Sequence, residues 1–252
     1  LIYDQRKRVL EGHKLRESVV HMVAVEMERC VSSYLPMDGE YPDWDPELVQ
    51  DFLNQLHALS PQLAHINKAM LEDLQTHSAV KEHIVQAGLS VYETIEEELT
   101  RMAKELDAKH GIKLLGLSDD EDPEMLASLK DTLSEAELDD YHHPLRRIER
   151  DILLSVIDAK WIDYLHSLDA LREGIGLRAY GQKDPLLEYK REAFDMFQNL
   201  TYEIQKETIS LLFRVKIDIQ LERQIEAMDE ELAESVDMEH LLADSETEDS
   251  LT

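Results

Sequence analysis

LRRIERDILLSVIDAKWIDYLHSLDALREGIGL, from Leu145 to Leu177, and PLLEYKREAFDMFQNLTYEIQKETISLLFRVKIDIQL, from Pro185 to Leu221, are two long apolar-periodic runs separated only by Arg178 to Asp184. In the first run Ile148, Ile152, Val156 and Ala159 share one helical face, while Leu153, Ile157, Trp161, Tyr164 and Leu168 share another. A helix with two apolar faces is expected to be buried on two sides. In the second run, about 186–221, Phe194, Phe197, Leu200, Ile204, Leu211, Leu212 and Val215 recur at core spacing. Two long helices joined by so short a break form a helical hairpin. Trp161, Phe194 and Phe197 are expected in its core rather than on a contact surface.

Outward from the hairpin the rest of the chain is also helical. All seven prolines and most of the glycines cluster at a few places, and strand-like alternation is not sustained anywhere. Asp45-Pro46, Ser60-Pro61, Asp122-Pro123 and Asp184-Pro185 each pair a capping residue with a proline suited to the first helical turn, so each marks a helix start. A first helix from Ile2 to Tyr34 would be about 50 Å long. It stops at Leu35-Pro36 before the turn-rich Met37 to Asp45. Further helices are expected over 46–58, 61–75, 78–109 and 123–139, with an acidic loop from Ser118 to Asp122. The expected fold class is therefore all-α: a long first helix (1–35), an inserted helical module (36–142), a second part with the long hairpin (143–222) and an acidic tail (223–252). After Arg223 eleven acidic residues follow without a Lys or Arg, a composition that favours disorder.

Composition narrows the function. The 252 residues with 43% hydrophobic content and only 8 glycines can bury a real core. Because the chain opens on Leu1 inside a helical pattern, a segment of a longer protein is expected. Acidic residues outnumber basic ones 55 to 26, and the net charge of -29 argues against nucleic acid as a partner. Cys30 has no cysteine to pair with and reads as a small buried hydrophobe. No signal peptide or apolar run of about 18 residues occurs, so a soluble, cytoplasmic chain is expected.

Nucleotide hydrolysis needs a glycine loop beside a lysine, and no G-x-x-x-x-G-K-[ST] occurs, so the segment itself is expected to be no enzyme and to carry no cofactor. Asp-x-x-His recurs at Asp107/His110, Asp139/His142, Asp140/His143, Asp163/His166 and Asp237/His240. Di-metal bundles use Glu-x-x-His from two core helices plus two further carboxylates. Most of these pairs lie at expected helix ends or in the tail, so no metal ligand is assigned. A metal-binding helical-bundle enzyme and an autonomous helical adaptor or coiled-coil protein are the two alternatives.

The run Leu171-Arg172-Glu173-Gly174-Ile175-Gly176-Leu177-Arg178-Ala179-Tyr180-Gly181-Gln182-Lys183-Asp184-Pro185, continuing to Phe197, closely resembles the two-helix finger of the SecA family. Ile157 to Trp161, Leu168-Asp169 and Ile2-Tyr3-Asp4-Gln5-Arg6 with Val9-Leu10 resemble its helical scaffold, and 36–142 matches its helical wing in order only. Two departures are visible: Tyr164 stands where the family has a His, and Ala179-Tyr180-Gly181 stands where Gly-Tyr-Ala is usual. The family's nucleotide-binding and preprotein cross-linking domains and its zinc-binding cysteines have no counterpart in this sequence.

The resemblance implies a parent that is a protein-translocating ATPase using ATP and Mg, peripheral at the cytoplasmic face of the cell membrane. It also implies partners: the SecYEG channel, unfolded preproteins and the parent's own nucleotide-binding domains, with anionic lipid and a homodimer left open. Arg178, Tyr180, Gln182 and Lys183 are the finger-loop residues it assigns to polypeptide and channel contact. Tyr180 offers a broad amphipathic ring suited to sequence-tolerant contact. Arg178 and Lys183 add charge able to meet carbonyls or lipid phosphates, or simply to solubilise the loop. Gly174 and Gly176 weaken helicity before the tip and are assigned as its pivot. Asp184 is a helix cap, whose loss should cost about 0.5–2 kcal/mol locally.

Overall fold

The computed structural model describes residues 2–11, 14–38, 40–110, 140–176, 178 and 184–215. Among these the regular structure is helical, apart from one isolated bridge between Glu40 and Thr76. The helices are α1 (Ile2–Glu11), α2 (Leu15–Tyr34), α3 (Pro46–Leu59), α4 (Lys68–Leu74), α5 (His77–His110), α6 (Pro144–Gly174) and α7 (Pro185–Leu212). The all-α expectation holds. No helix among the described residues is long and apolar enough to cross a membrane.

Capping chemistry sets most of the helix starts. Asp45 accepts from the Glu47 amide at 2.9 Å, Ser60 from Gln62 at 3.2 Å and Asp184 from Leu186 at 2.9 Å, each ahead of a proline. The fourth expected start, Asp122-Pro123, lies outside the described residues, as do the expected helix 123–139 and the tail.

Besides α7, which ends at Leu212 with Phe213 as its C-cap, short of the expected 221, two helices differ from the sequence reading. The first is not continuous: α1 and α2 are separate, and Lys14 at φ 54° and ψ 34° stands in the left-handed region before α2. Gly12 is the weak point of that sequence, since glycine costs roughly 1 kcal/mol against alanine within a helix. The second is 61–75, which divides into a 3-10 turn, Pro61–His65, and α4. Two side chains cause the division. His57 Nε2 donates to the Ile66 carbonyl at 2.8 Å, and Asn67 accepts from the Met70 amide at 3.3 Å as the cap of α4. Asparagine satisfies a free helical N–H better as a cap than it propagates a helix.

The core forms mainly where α2 lies on α5. Leu15, Val19, Val23, Met27 and Val31 make one buried stripe at helical spacing, met by Val80, Ile84, Val91 and Ile95 of α5. Gly88 permits the approach: a Cβ there would stand 2.5 Å from Met27 Cγ. α6 enters this core through Leu145, Leu153, Val156 and Ile157, while α7 contributes Leu200, Ile204, Ile209 and Leu212. α1 lies against α6, where Arg6 clasps Asp158 through Nε at 2.8 Å and Nη2 at 3.2 Å.

Candidate functional site

The hairpin of α6 and α7 is stitched at its base by charge and in its middle by rings. Lys160 reaches Glu207 at 2.6 Å and Glu203 at 3.6 Å. Trp161 stacks on Tyr164 at 5.3 Å, and Tyr164 meets the edge of Phe197 at 6.1 Å. Offset and edge-on ring pairs of this kind contribute about 0.5–1.5 kcal/mol each beyond their burial. Trp161 and Phe197 are half-buried within this cluster.

Toward the tip the geometry corrects one expectation. Phe194 is 59% exposed and belongs to no core. Leu186 and Leu187 on α7 and Ile162 and Leu165 on α6 are exposed as well. Burial of α6 on two sides therefore holds only for its first half. Past the Arg6–Asp158 contact with α1, Ile162 and Leu165 of α6 face outward from the seam with α7.

α6 ends at Gly174, with Gly176 following in a short 3-10 turn, and at both positions an added Cβ would meet nothing within 4 Å. No steric demand for glycine exists there. Arg178 folds back onto α7, its Nη2 2.9 Å from Glu192 Oε1, so its charge is partly held within the hairpin. Asp184 accepts from both Leu186 and Leu187, the second at 3.4 Å. Tyr180, Gln182 and Lys183 lie outside the described residues.

At its other end α6 is anchored by a polar cluster that sequence reasoning missed. Arg146, buried to 1% exposure, donates to Glu149, Glu96, Asp140 and the Tyr92 hydroxyl. Tyr92 in turn donates to Glu149 Oε1 at 2.8 Å, and Arg16 of α2 reaches Glu96 at 3.0 Å. The cluster thus joins α2, α5 and α6. Burial works against charge on Arg146, but Glu149 and the other acceptors more than offset it and hold the guanidinium ionised. Burial alone would also raise Glu96, yet the hydrogen bond from Arg16 and the charge of Arg146 keep its carboxyl below the ordinary value. Tyr92 is pushed well up, first by burial and then by Glu149.

His143 completes the anchor. The Leu145 amide donates to Nδ1 at 3.2 Å, which caps α6. The Thr100 hydroxyl spends its proton on the Glu96 carbonyl, so Nε2 carries the ring proton and donates to Thr100 at 2.7 Å. This ring is neutral, and burial followed by the charge of Arg146 lowers its pKa. Asp140 and His143, one of the Asp-x-x-His pairs, are therefore committed to an ion pair and a cap. Asp163 and His166 are both exposed, and no group of three or more His, Cys, Asp or Glu able to hold a metal occurs among the described residues. Cys30 is half-buried, its thiol pushed up to about 12 by burial and then by Glu26.

The family model for the SecA wing and scaffold domain matches residues 1–216. The chain belongs to this family. The protein translocase subunit SecA of Desulforamulus reducens is 32% identical over 223 residues, 88% of this chain and 20% of that protein. The subunit of Pelotomaculum thermopropionicum is 34% identical over 86% of this chain and 19% of its own length. That of Desulforudis audaxviator is 35% identical over 86% and 20%. The chain thus spans about a fifth of the length of the curated SecA relatives it matches. The SecA wing and scaffold match covers α1 to α7 with the hairpin and its anchor.

Proposed function

We propose that this chain is the wing-and-scaffold part of an ATP-driven preprotein translocase and that its hairpin works at the mouth of a SecYEG channel, touching the polypeptide in transit. The observation that carries the reading is the run from Leu171 to Phe197, which closes a hairpin inside the region matched to the SecA wing and scaffold family. Residues 1–35 and 143–222 form the scaffold in this reading, 36–142 the wing and 223–252 an acidic tail. Hydrolysis of ATP with Mg belongs to nucleotide-binding domains elsewhere in the parent, and the protein acts at the cytoplasmic face of the membrane.

The mechanism follows from stiffness and exposure. A hairpin braced by ring contacts and anchored at Arg146 transmits displacement along its length. Tyr180, Gln182 and Lys183 make the polypeptide contact. Arg178, paired with Glu192 of α7, is the fourth contact residue of this reading. The test is photocrosslinking from position 180 in the full-length parent with SecYEG membranes, ATP and a stalled preprotein. Crosslinks to preprotein or SecY are expected. Their absence during active translocation, with control positions reacting, overturns the contact role.

A further inference from the structure

The described arginines near the hairpin tip are each held by a carboxylate. Arg172 meets Asp169 at 3.2 Å, Arg178 meets Glu192 at 2.9 Å and Arg191 meets Glu188 at 2.9 Å. In the last two pairs the acid is the covered partner. The Glu192 and Glu188 side chains are 27% and 14% exposed, against 49% and 61% for Arg178 and Arg191. Glu188 and Glu192 stand one turn apart on α7 and share a face of it. The guanidiniums are thus the outer layer and the carboxylates lie beneath them. Lys190 and Asp195, exposed on the same helix, are of opposite sign.

Such a pair is neutral but not saturated. Both contacts run through Nη2, and a guanidinium carries several further N–H donors in a planar fork, so donors remain once the carboxylate is met. What the surface offers is a donor without net charge. A phosphodiester or a free carboxylate approaching it meets Glu188 and Glu192 as repelling charges. A peptide carbonyl carries no charge and meets no such cost, and an unfolded polypeptide presents one at every residue. The pairs therefore fit the main chain of an extended polypeptide rather than a lipid headgroup.

We infer that Glu188 and Glu192 are specificity-determining residues that keep the hairpin's contact with polypeptide indifferent to charge. This role rests on the polypeptide contact proposed above and sets its mode. Arg178 and Arg191 donate to main-chain carbonyls. The two glutamates cancel the positive charge that would otherwise retain acidic segments and repel basic ones.

Photocrosslinking from position 180 of the full-length parent, with SecYEG membranes and ATP, tests this. The stalled preproteins differ only in whether the stretch at the tip is acidic or basic, and the readout is the acidic-to-basic ratio of crosslinking yields. In the Glu188→Gln/Glu192→Gln variant that ratio should rise at least about threefold over the unaltered parent, a change within the range of exposed ion pairs. The rise should shrink when the stalled complexes are irradiated in about 1 M salt, where charges are screened beyond about 3 Å. Glutamine is as good a helix former as glutamate, so the helical circular dichroism of the 252-residue variant should not change. An unchanged ratio, including the case in which both yields fall together, overturns the charge-masking role and leaves the polypeptide contact standing. Absence of crosslinks from the unaltered parent with both stretches overturns the contact itself, and the masking role with it.

Discussion

His143 holds two joints with one neutral ring: its Nδ1 caps α6 and its Nε2–H reaches Thr100 on α5. A protonated ring would set N–H against the Leu145 N–H and lose the cap. The folded pKa lies below the ordinary value because of burial and Arg146, while Glu96 and Asp140 pull the other way and Arg16 adds to the lowering. The unfolded chain therefore takes up this proton first, and stability falls as pH drops through the unfolded value of about 6.5 until the folded value is crossed. His143→Asn keeps a capping side chain without a titrating ring. Denaturant unfolding between neutral and mildly acidic pH should show a shallower loss in this variant than in the unaltered chain.

At the scale of elements, the α2–α5 contact depends on one missing side chain. Gly88→Val should drive Met27 from its site and cost about 1–3 kcal/mol, read from the denaturation midpoint. Gly174 and Gly176 are the opposite case, with open space around both. Their double replacement by alanine should strengthen local order by about 0.5–1 kcal/mol per residue, seen as slower amide exchange at the end of α6. If the parent works as proposed, the stiffened tip should slow its export of preproteins, and unchanged export with slowed exchange would remove the pivot role. Helix periods and proline-linked caps made α3, α5, α6 and α7 legible in the sequence because they depend on neighbours a few residues apart. One break and one exposure were not. The His57–Ile66 bond that divides 61–75 spans nine residues and uses a side chain that no helical pattern singles out. Phe194 sits at core spacing, but spacing cannot tell whether another element is there to cover it.

For the molecule as a whole, the anchor around Arg146 holds the hairpin to the rest of the fold. Its partners Tyr92, Glu96, Asp140 and Glu149 come from two regions about fifty residues apart, which is why no local pattern announced it. Arg146→Met leaves buried carboxylates without their cation, and removing one partner of such a set costs about 3–5 kcal/mol. A fall of that size in unfolding free energy is expected, with a change under about 1 kcal/mol counting against the anchor. The clasp between Arg6 and Asp158 bears on how such a chain is made. The two residues are 152 positions apart. At synthesis rates of about 5–20 residues per second, α1 waits roughly 8–30 s for the segment it docks against. Ile2 and Val9 of α1 are buried in the finished fold. α2 can pack against α5 well before α6 and α7 emerge, so the middle of this sequence folds first and the ends close over it last.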